Sequence, residues 1–478
     1  MVVCVLLLVP ECTSPAAQGA GAEPFLWGQD DLWQGLETEF NRARDQGCDA
    51  VDVASRIAPI DESLTDLEVN AYPPNHRVYR ELERRLFGAA PTAAACPAQA
   101  IGFLSAAHRL RSILKRQSQN WEMGDRASRD RIYRLLYGAR AAVEEVILQS
   151  APGAVPLVRE GEDVSAPTPS TVIRGVRIHS GDVLVSRGGA PTSALIARGN
   201  DYPGNFSHIA LAHVDPQTGE ASVIEAHIEV GVVIASAERY LEDTKLRVMV
   251  LRLRPDLPEL QEDPMLPHIA ATAALREAAD RHIAYDFAMD YQDPEEQFCS
   301  EVASAAYASQ GVELWSGLSS MSGAGLTRWL SRLGVTHFVT HSPSDLEYDP
   351  QLSVVAEWRD PDLLFEDHVD NAVVDAMLEG ADRGDDLDYS LMQLPFARLA
   401  KGWSLIQNLF GEAGPVPEGM SATVALRVQA MRARHGAIKE RVMLAAEAFV
   451  TEAEYRPPYW VLVEMAREAA REVDAGAP

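Results

Sequence analysis

Two β-rich runs, Ser207–Val214 and Ser222–Ile228, are joined by Asp215-Pro216-Gln217-Thr218-Gly219, and this pairing constrains the fold more than any other stretch. Proline presets φ and glycine admits φ above zero, so the connection reads as a turn and the runs as an antiparallel hairpin. Closure near Val214 and Ala221 sets His208 opposite His227 and Ala210 opposite Glu225. Side chains alternate along a strand, so His208, Glu225 and His227 then share one face, with Glu225 diagonal to His208. A slip of one residue would put them on opposite faces. His213 falls on the other face and reads as structural.

Downstream, Gln297-Phe298-Cys299-Ser300-Glu301-Val302 places a cysteine where an amphipathic helix begins, with Val302, Ala303, Ala305, Ala306 and Tyr307 following at helical spacing. The N–H groups and dipole of a helix start stabilise a thiolate, so the position predicts a lowered Cys299 pKa and a nucleophile. A buried, inert thiol is the competing reading. An upstream imidazole decides between them, because histidine titrates near working pH and takes the thiol proton or holds it in an ion pair. An acceptor on its second nitrogen fixes the tautomer, and a carboxylate does this.

The order Gly181-Asp182-Val183-Leu184, Phe206-Ser207-His208-Ile209, Val223-Ile224-Glu225-Ala226, Tyr285-Asp286-Phe287 and Phe298-Cys299-Ser300-Glu301 resembles the circularly permuted NlpC-like papain-fold family, the YiiX/YaeF-type amidases. The resemblance covers roughly residues 176–359 and includes the tail Ser342-Pro343-Ser344-Asp345-Leu346. It implies an α+β fold, a permuted papain-like (NlpC-type) domain with an antiparallel sheet, flanked by helical regions. It also implies Cys299 as nucleophile, His208 as general base and Glu225 as the residue orienting the imidazole. Ser207, His227 and Tyr285 are assigned to the substrate cleft. His227 competes with Glu225 as orienter, and Tyr285 and Asp286 also read as packing or capping residues.

A length of 478 residues implies two to four domains. The net charge of −28 opposes a nucleic-acid role and electrostatic docking to anionic membranes. No CxxC, HExxH or other metal-ligand spacing is present, and Arg187-Gly188-Gly189 lacks a phosphate-loop pattern, so neither cofactor nor metal is expected.

Residues 1–22 read as a leader: Val2–Val9 is apolar but too short to span a bilayer, and Ala20-Gly21-Ala22 resembles a processing site. The segment lacks a basic start, the first basic residue being Arg42. Export to the periplasm or cell envelope is favoured over a cytoplasmic location, and Cys12 matches a lipid-attachment site poorly. Residues 24–150 read as a helical accessory domain, with helices at Leu32–Arg44, Val78–Phe87, 99–118 and 126–149, and with breaks at Pro73-Pro74 and Pro91. Residues 151–175 read as a Pro/Ala-rich linker and 176–359 as the catalytic domain, with strands near 181–186, 207–214, 221–228 and 246–252. Residues 360–478 read as a C-terminal helical region that packs on the domain, covers its cleft or binds a partner. Cys48 and Cys96 form a disulfide or remain separate buried thiols, which leaves Cys299 unpaired.

These features point to a thiol-dependent hydrolase of amide bonds, with cell-wall (peptidoglycan) peptides as the substrate class implied by the resemblance together with export. A lipid ester hydrolase or acyltransferase of the same fold is the alternative. A papain-like module that binds peptide or lipid without catalysis is a third.

Overall fold

The computed structural model describes residues 23–27, 35–409 and 414–476. The segment read as a leader, with Cys4 and Cys12, lies outside them, as do the first residues of the helix expected from Leu32. Five helices lead: α1 (Leu36–Gln46), α2 (Val53–Val69), α3 (Arg77–Ala95), α4 (Ile101–Gln117) and α5 (Arg126–Leu148). Asp52 and Asp125 cap α2 and α5 by accepting the N–H groups of Ser55 and Ser128. The expected break at Pro91 does not occur. α3 runs through it to Ala95, because the turns around Pro91 are packed in the core, and that burial outweighs the one missing backbone donor. Cys48 and Cys96 are joined in a disulfide.

A seven-stranded antiparallel sheet follows, in the order β1-β11-β8-β4-β5-β6-β7. Its strands are β1 (Val158–Glu160), β4 (Val183–Gly188), β5 (His208–Val214), β6 (Ala221–His227), β7 (Gly231–Ser236), β8 (Lys245–Leu253) and β11 (Leu352–Trp358). A small hairpin, β2 (Ser170–Ile173) with β3 (Val176–His179), stands apart from it, as does the short pair β9 (Ser319–Ser320) with β10 (Val339–Thr340). The segment 151–175 is therefore not a free linker. Val158–Glu160 pairs with Ala356–Trp358 at the sheet edge, and Ser170–Ile173 pairs with Val176–His179.

The two faces of the sheet are covered differently. Val183, Val185, Ile209, Leu211, Met249 and Leu251 face one way, against α9 (Leu266–Asp280), α10 (Cys299–Ala308) and the leading helices. Leu184, Ala210, Ala212, Val223, Val248 and Val250 face the other way, under β2–β3 and Tyr240 of α7 (Ala237–Glu242). The first of these cores runs unbroken from Phe40 to Leu364, so the leading helices share a core with the sheet and do not bury one of their own. Buried ion pairs cross the same junction: Arg129–Asp345 at 2.7 Å, Arg140–Glu347 at 2.5 Å, and the Arg247–Glu144 and Arg111–Glu357 contacts.

Two short helices, α6 (Pro191–Arg198) and α8 (Pro258–Glu262), lie in the loops of the sheet, and α11 (Ala324–Leu333) precedes β10. The C-terminal part contains α12 (Pro361–Arg383), α13 (Leu394–Leu409), α14 (Ala422–Ala453) and α15 (Tyr459–Asp474). α12, α14 and α15 form a second core with Ala194 and Leu195 of α6 and Leu326 and Trp329 of α11. Among the described residues no helix is long and apolar enough to cross a membrane.

Candidate active site

Ala210 pairs with Glu225 and Val214 with Ala221, the register expected from the turn. Glu225 is accordingly set between two imidazoles. Its Oε2 lies 2.6 Å from Nε2 of His208, and its Oε1 lies 3.0 Å from Nε2 of His227. Burial opposes the Glu225 charge, but the bonds from His208 and His227 outweigh it and hold the carboxyl well below its usual range. The bond to Glu225 raises His227. His208 is lowered, because burial disfavours its cation more than Glu225 supports it. A neutral imidazole donating through Nε2 to a carboxylate carries its lone pair on Nδ1.

Cys299 is the first residue of α10, and among the described residues it is the free cysteine. Strand alternation puts His208 on the Ala210 face of the sheet, whereas α10 packs on the Ile209 face. Both reach one cavity because each stands at the end of its element. Sγ–H of Cys299 donates to the carbonyl of Ser207, the residue before His208, at 3.7 Å. That cavity, of about 380 Å3, is lined by Cys299, His208, His227, Ser207, Tyr285 and Lys245, among others. All the residues assigned to catalysis and cleft thus line it or, in the case of Glu225, brace it from behind.

The expectation of a lowered thiol pKa is overturned. Burial pushes Cys299 up to about 11, against the opposing pull of N–H groups from Ile209, Ser300 and Cys299 itself. The helix start supplies the donors, but desolvation of a sulfur that is only 4 % exposed exceeds them. Burial thus favours the neutral form of both the Cys299 thiol and the His208 imidazole.

Several supporting groups gave no distinct sequence signal. The Glu301 carboxylate accepts the Phe298 N–H at 2.9 Å and closes the first turn of α10, and burial pushes it up to about 8. Tyr240 lies along the His208 ring, with centroids 6.4 Å apart, and its hydroxyl donates to Ser186 at 2.9 Å. Ser344, in the tail segment, accepts the N–H of Phe206 at 3.0 Å and donates to its carbonyl at 2.9 Å, fixing the approach to His208. Gly204 is needed there, since a Cβ would stand 2.1 Å from Ser344 Oγ. Asp286 caps the following loop by accepting the N–H groups of Ala288 and Met289, in keeping with a capping role.

A second cavity, of about 650 Å3, adjoins the first and shares Thr192, Ile196, Ile228, Glu229 and Tyr285 with it. Its remaining wall is mostly apolar and comes from α11, α13 and α14, through residues such as Leu333, Phe396, Ala400 and Val424.

His208, Glu225 and His227 place potential ligand atoms within 4.8 Å of one another, a donor set that suits a divalent cation. Linear motif spacing misses this trio, because its members come from two paired strands.

The domain thus combines an antiparallel sheet, a helix opened by a cysteine, and a histidine–glutamate pair that precedes the cysteine in the chain. Residues 177–356 match a family described as permuted papain-like amidase enzyme, YaeF/YiiX, C92 family, the family that the motif order resembled. The leading helices and α12–α15 lie outside that match. No curated protein and no solved structure matches the chain.

Proposed function

We propose that the protein is a cysteine-dependent hydrolase of amide bonds, with Cys299 as nucleophile, His208 as general base and Glu225 as the residue orienting the imidazole. The observation that carries this reading is the single cavity bounded by Cys299 and by a His208 whose Nε2 is held 2.6 Å from Glu225. Sγ attacks the substrate carbonyl as its proton passes to Nδ1 of His208. N–H groups at the start of α10 receive the oxyanion, a contribution typically worth about 3–4 kcal/mol per donor. The imidazolium then protonates the departing amine, and a water activated by the same ring hydrolyses the thioester. Ser207, His227 and Tyr285 line the substrate's path. The family match supports amide chemistry. Export, and with it a peptidoglycan-derived substrate, is supported by the Cys48–Cys96 disulfide, since such bonds persist in oxidising compartments.

One observation favours a second reading. The adjoining apolar cavity suits an aliphatic chain better than a polar peptide, which supports a lipid acyl hydrolase or acyltransferase.

Iodoacetamide labelling with site mapping tests the chemistry. Cys299 is expected to react with a rate that falls about a hundredfold or more in His208→Ala; a rate unchanged in that variant rejects the mechanism. Cys299→Ala is expected to abolish turnover with an unaltered circular-dichroism melt. Glu225→Gln is expected to slow turnover without abolishing it, and full activity would move the orienting role to His227. Incubation with cell-wall fragments or phospholipid, read by mass spectrometry, separates amidase from lipid acyl activity.

A further inference from the structure

The surface of α13 differs from the rest of the molecule. In a chain with 70 acidic and 42 basic residues, the stretch Tyr389–Asn408 contains no Asp or Glu and carries Arg398 and Lys401. Met392, Phe396, Leu399, Trp403 and Ile406 recur at alternating spacings of four and three, so they form one stripe along the helix. All of them point outward: Met392 is 83 % exposed, Leu399 72 % and Trp403 56 %. Leu391 and Leu405, also exposed, widen the apolar surface beyond a narrow helix-pairing seam. The opposite side of α13 is committed, with Ala397 and Ala400 lining the large apolar cavity and Ser404 fully buried. Phe396 belongs to both surfaces: it is 73 % exposed and also lines the cavity.

We infer that α13 is a membrane-interface helix that seats the protein on an anionic phospholipid surface. The combination is that of a helix lying in the headgroup plane: large apolar residues with a tryptophan on the outside, the exposed Arg398 beside them, Lys401 turned to the Pro417 and Glu418 carbonyls, and too little length or hydrophobicity to span. Charge complementarity selects the occupant. The protein as a whole repels an anionic bilayer, but over this helix Arg398 is exposed with no acidic side chain in the stretch to oppose it. Phe396 joins the outer stripe to the cavity, so a bilayer in contact with α13 adjoins the apolar space that leads past Tyr285 to the Cys299 chamber. This inference does not depend on the catalytic reading.

The test is sedimentation of the full chain with vesicles. Wild type is expected to sediment with mixed phosphatidylcholine–phosphatidylglycerol vesicles and several-fold less with pure phosphatidylcholine. The double substitution Leu399→Glu with Trp403→Glu lies on exposed positions and is expected to keep the wild-type melt while its partitioning falls at least tenfold. Absence of wild-type binding, or binding equal in the double variant, overturns the inference. So does a wild-type dimer that the double variant converts to monomer without any vesicle binding, since a second copy would then be the occupant. Cys299 labelling by iodoacetamide without vesicles reports on the proposed chemistry separately, so failure of one does not count against the other.

Discussion

At the scale of single residues, the His208–Glu225–His227 face was legible because it depends only on period-two alternation and on a turn whose residues fix the register. The protonation state of Cys299 was not legible. A helix start is visible in sequence, but desolvation depends on what the rest of the chain lays over the sulfur. Glu301 follows the same logic. It sits in the first turn of α10 with its carboxyl pushed up to about 8 by burial and by Asp286, Asp290 and Asp293. Its folded pKa thus lies above its unfolded one, so between about 4.5 and about 8 the folded state holds a proton that the unfolded state has released. This group's contribution to stability falls as pH rises through that window. Glu301→Gln retains an acceptor for the Phe298 N–H and removes the titration, so its melting temperature is expected to exceed wild type at pH 8 and to approach it at pH 4.5. Parallel melting curves for the two proteins across that range would reject the assignment.

At the scale of elements, the long periodic segments were readable: α4 and α5 and strands β4, β5, β6 and β8 lie close to where their patterns put them. The errors came from local signals overridden by packing. Pro91 suggested a break, yet α3 continues because its last turns are buried, and Val158–Glu160 looked like linker until β11 supplied its partner. α12 offers a test of how such elements are locked together. It brings Asp367 to 3.2 Å from Nε of Arg187 at the end of β4, with both side chains fully buried, and Asp367 also contacts Arg247. Removing one partner strands a buried cation, which typically costs about 3–5 kcal/mol. Asp367→Ala is expected to lower the urea-unfolding free energy by about that amount, and a loss below about 1 kcal/mol would show that the cluster is not electrostatically coupled to stability.

At the scale of the whole molecule, composition bounded the number of domains but not how they join. The expected accessory bundle contributes Phe103, Leu110, Tyr133 and Leu136 to the core that also holds Val183, Leu211 and Val302. Arg111, Arg129, Arg140 and Glu144 of that part pair with Glu357, Asp345, Glu347 and Arg247 of the sheet region. Excising residues 176–359 would take from Asp345, Glu347 and Arg247 the partners named above, leaving Glu357 only Arg359, and would open the shared core, a loss comparable to the whole stability of an ordinary domain. That fragment is expected to give no cooperative melt, whereas the full chain melts in a sharp transition; a fragment with a cooperative transition would establish an independent catalytic domain.

The depth at which the Cys299 sulfur lies has a corollary for survival. The sulfur anion is the species that attacks peroxide and oxidised glutathione, and burial of Cys299 disfavours that anion. One chain can therefore carry the bond between Cys48 and Cys96 and a reduced thiol in the same surroundings. On the proposed mechanism the sulfur becomes reactive only as His208 takes its proton during attack on an electrophile.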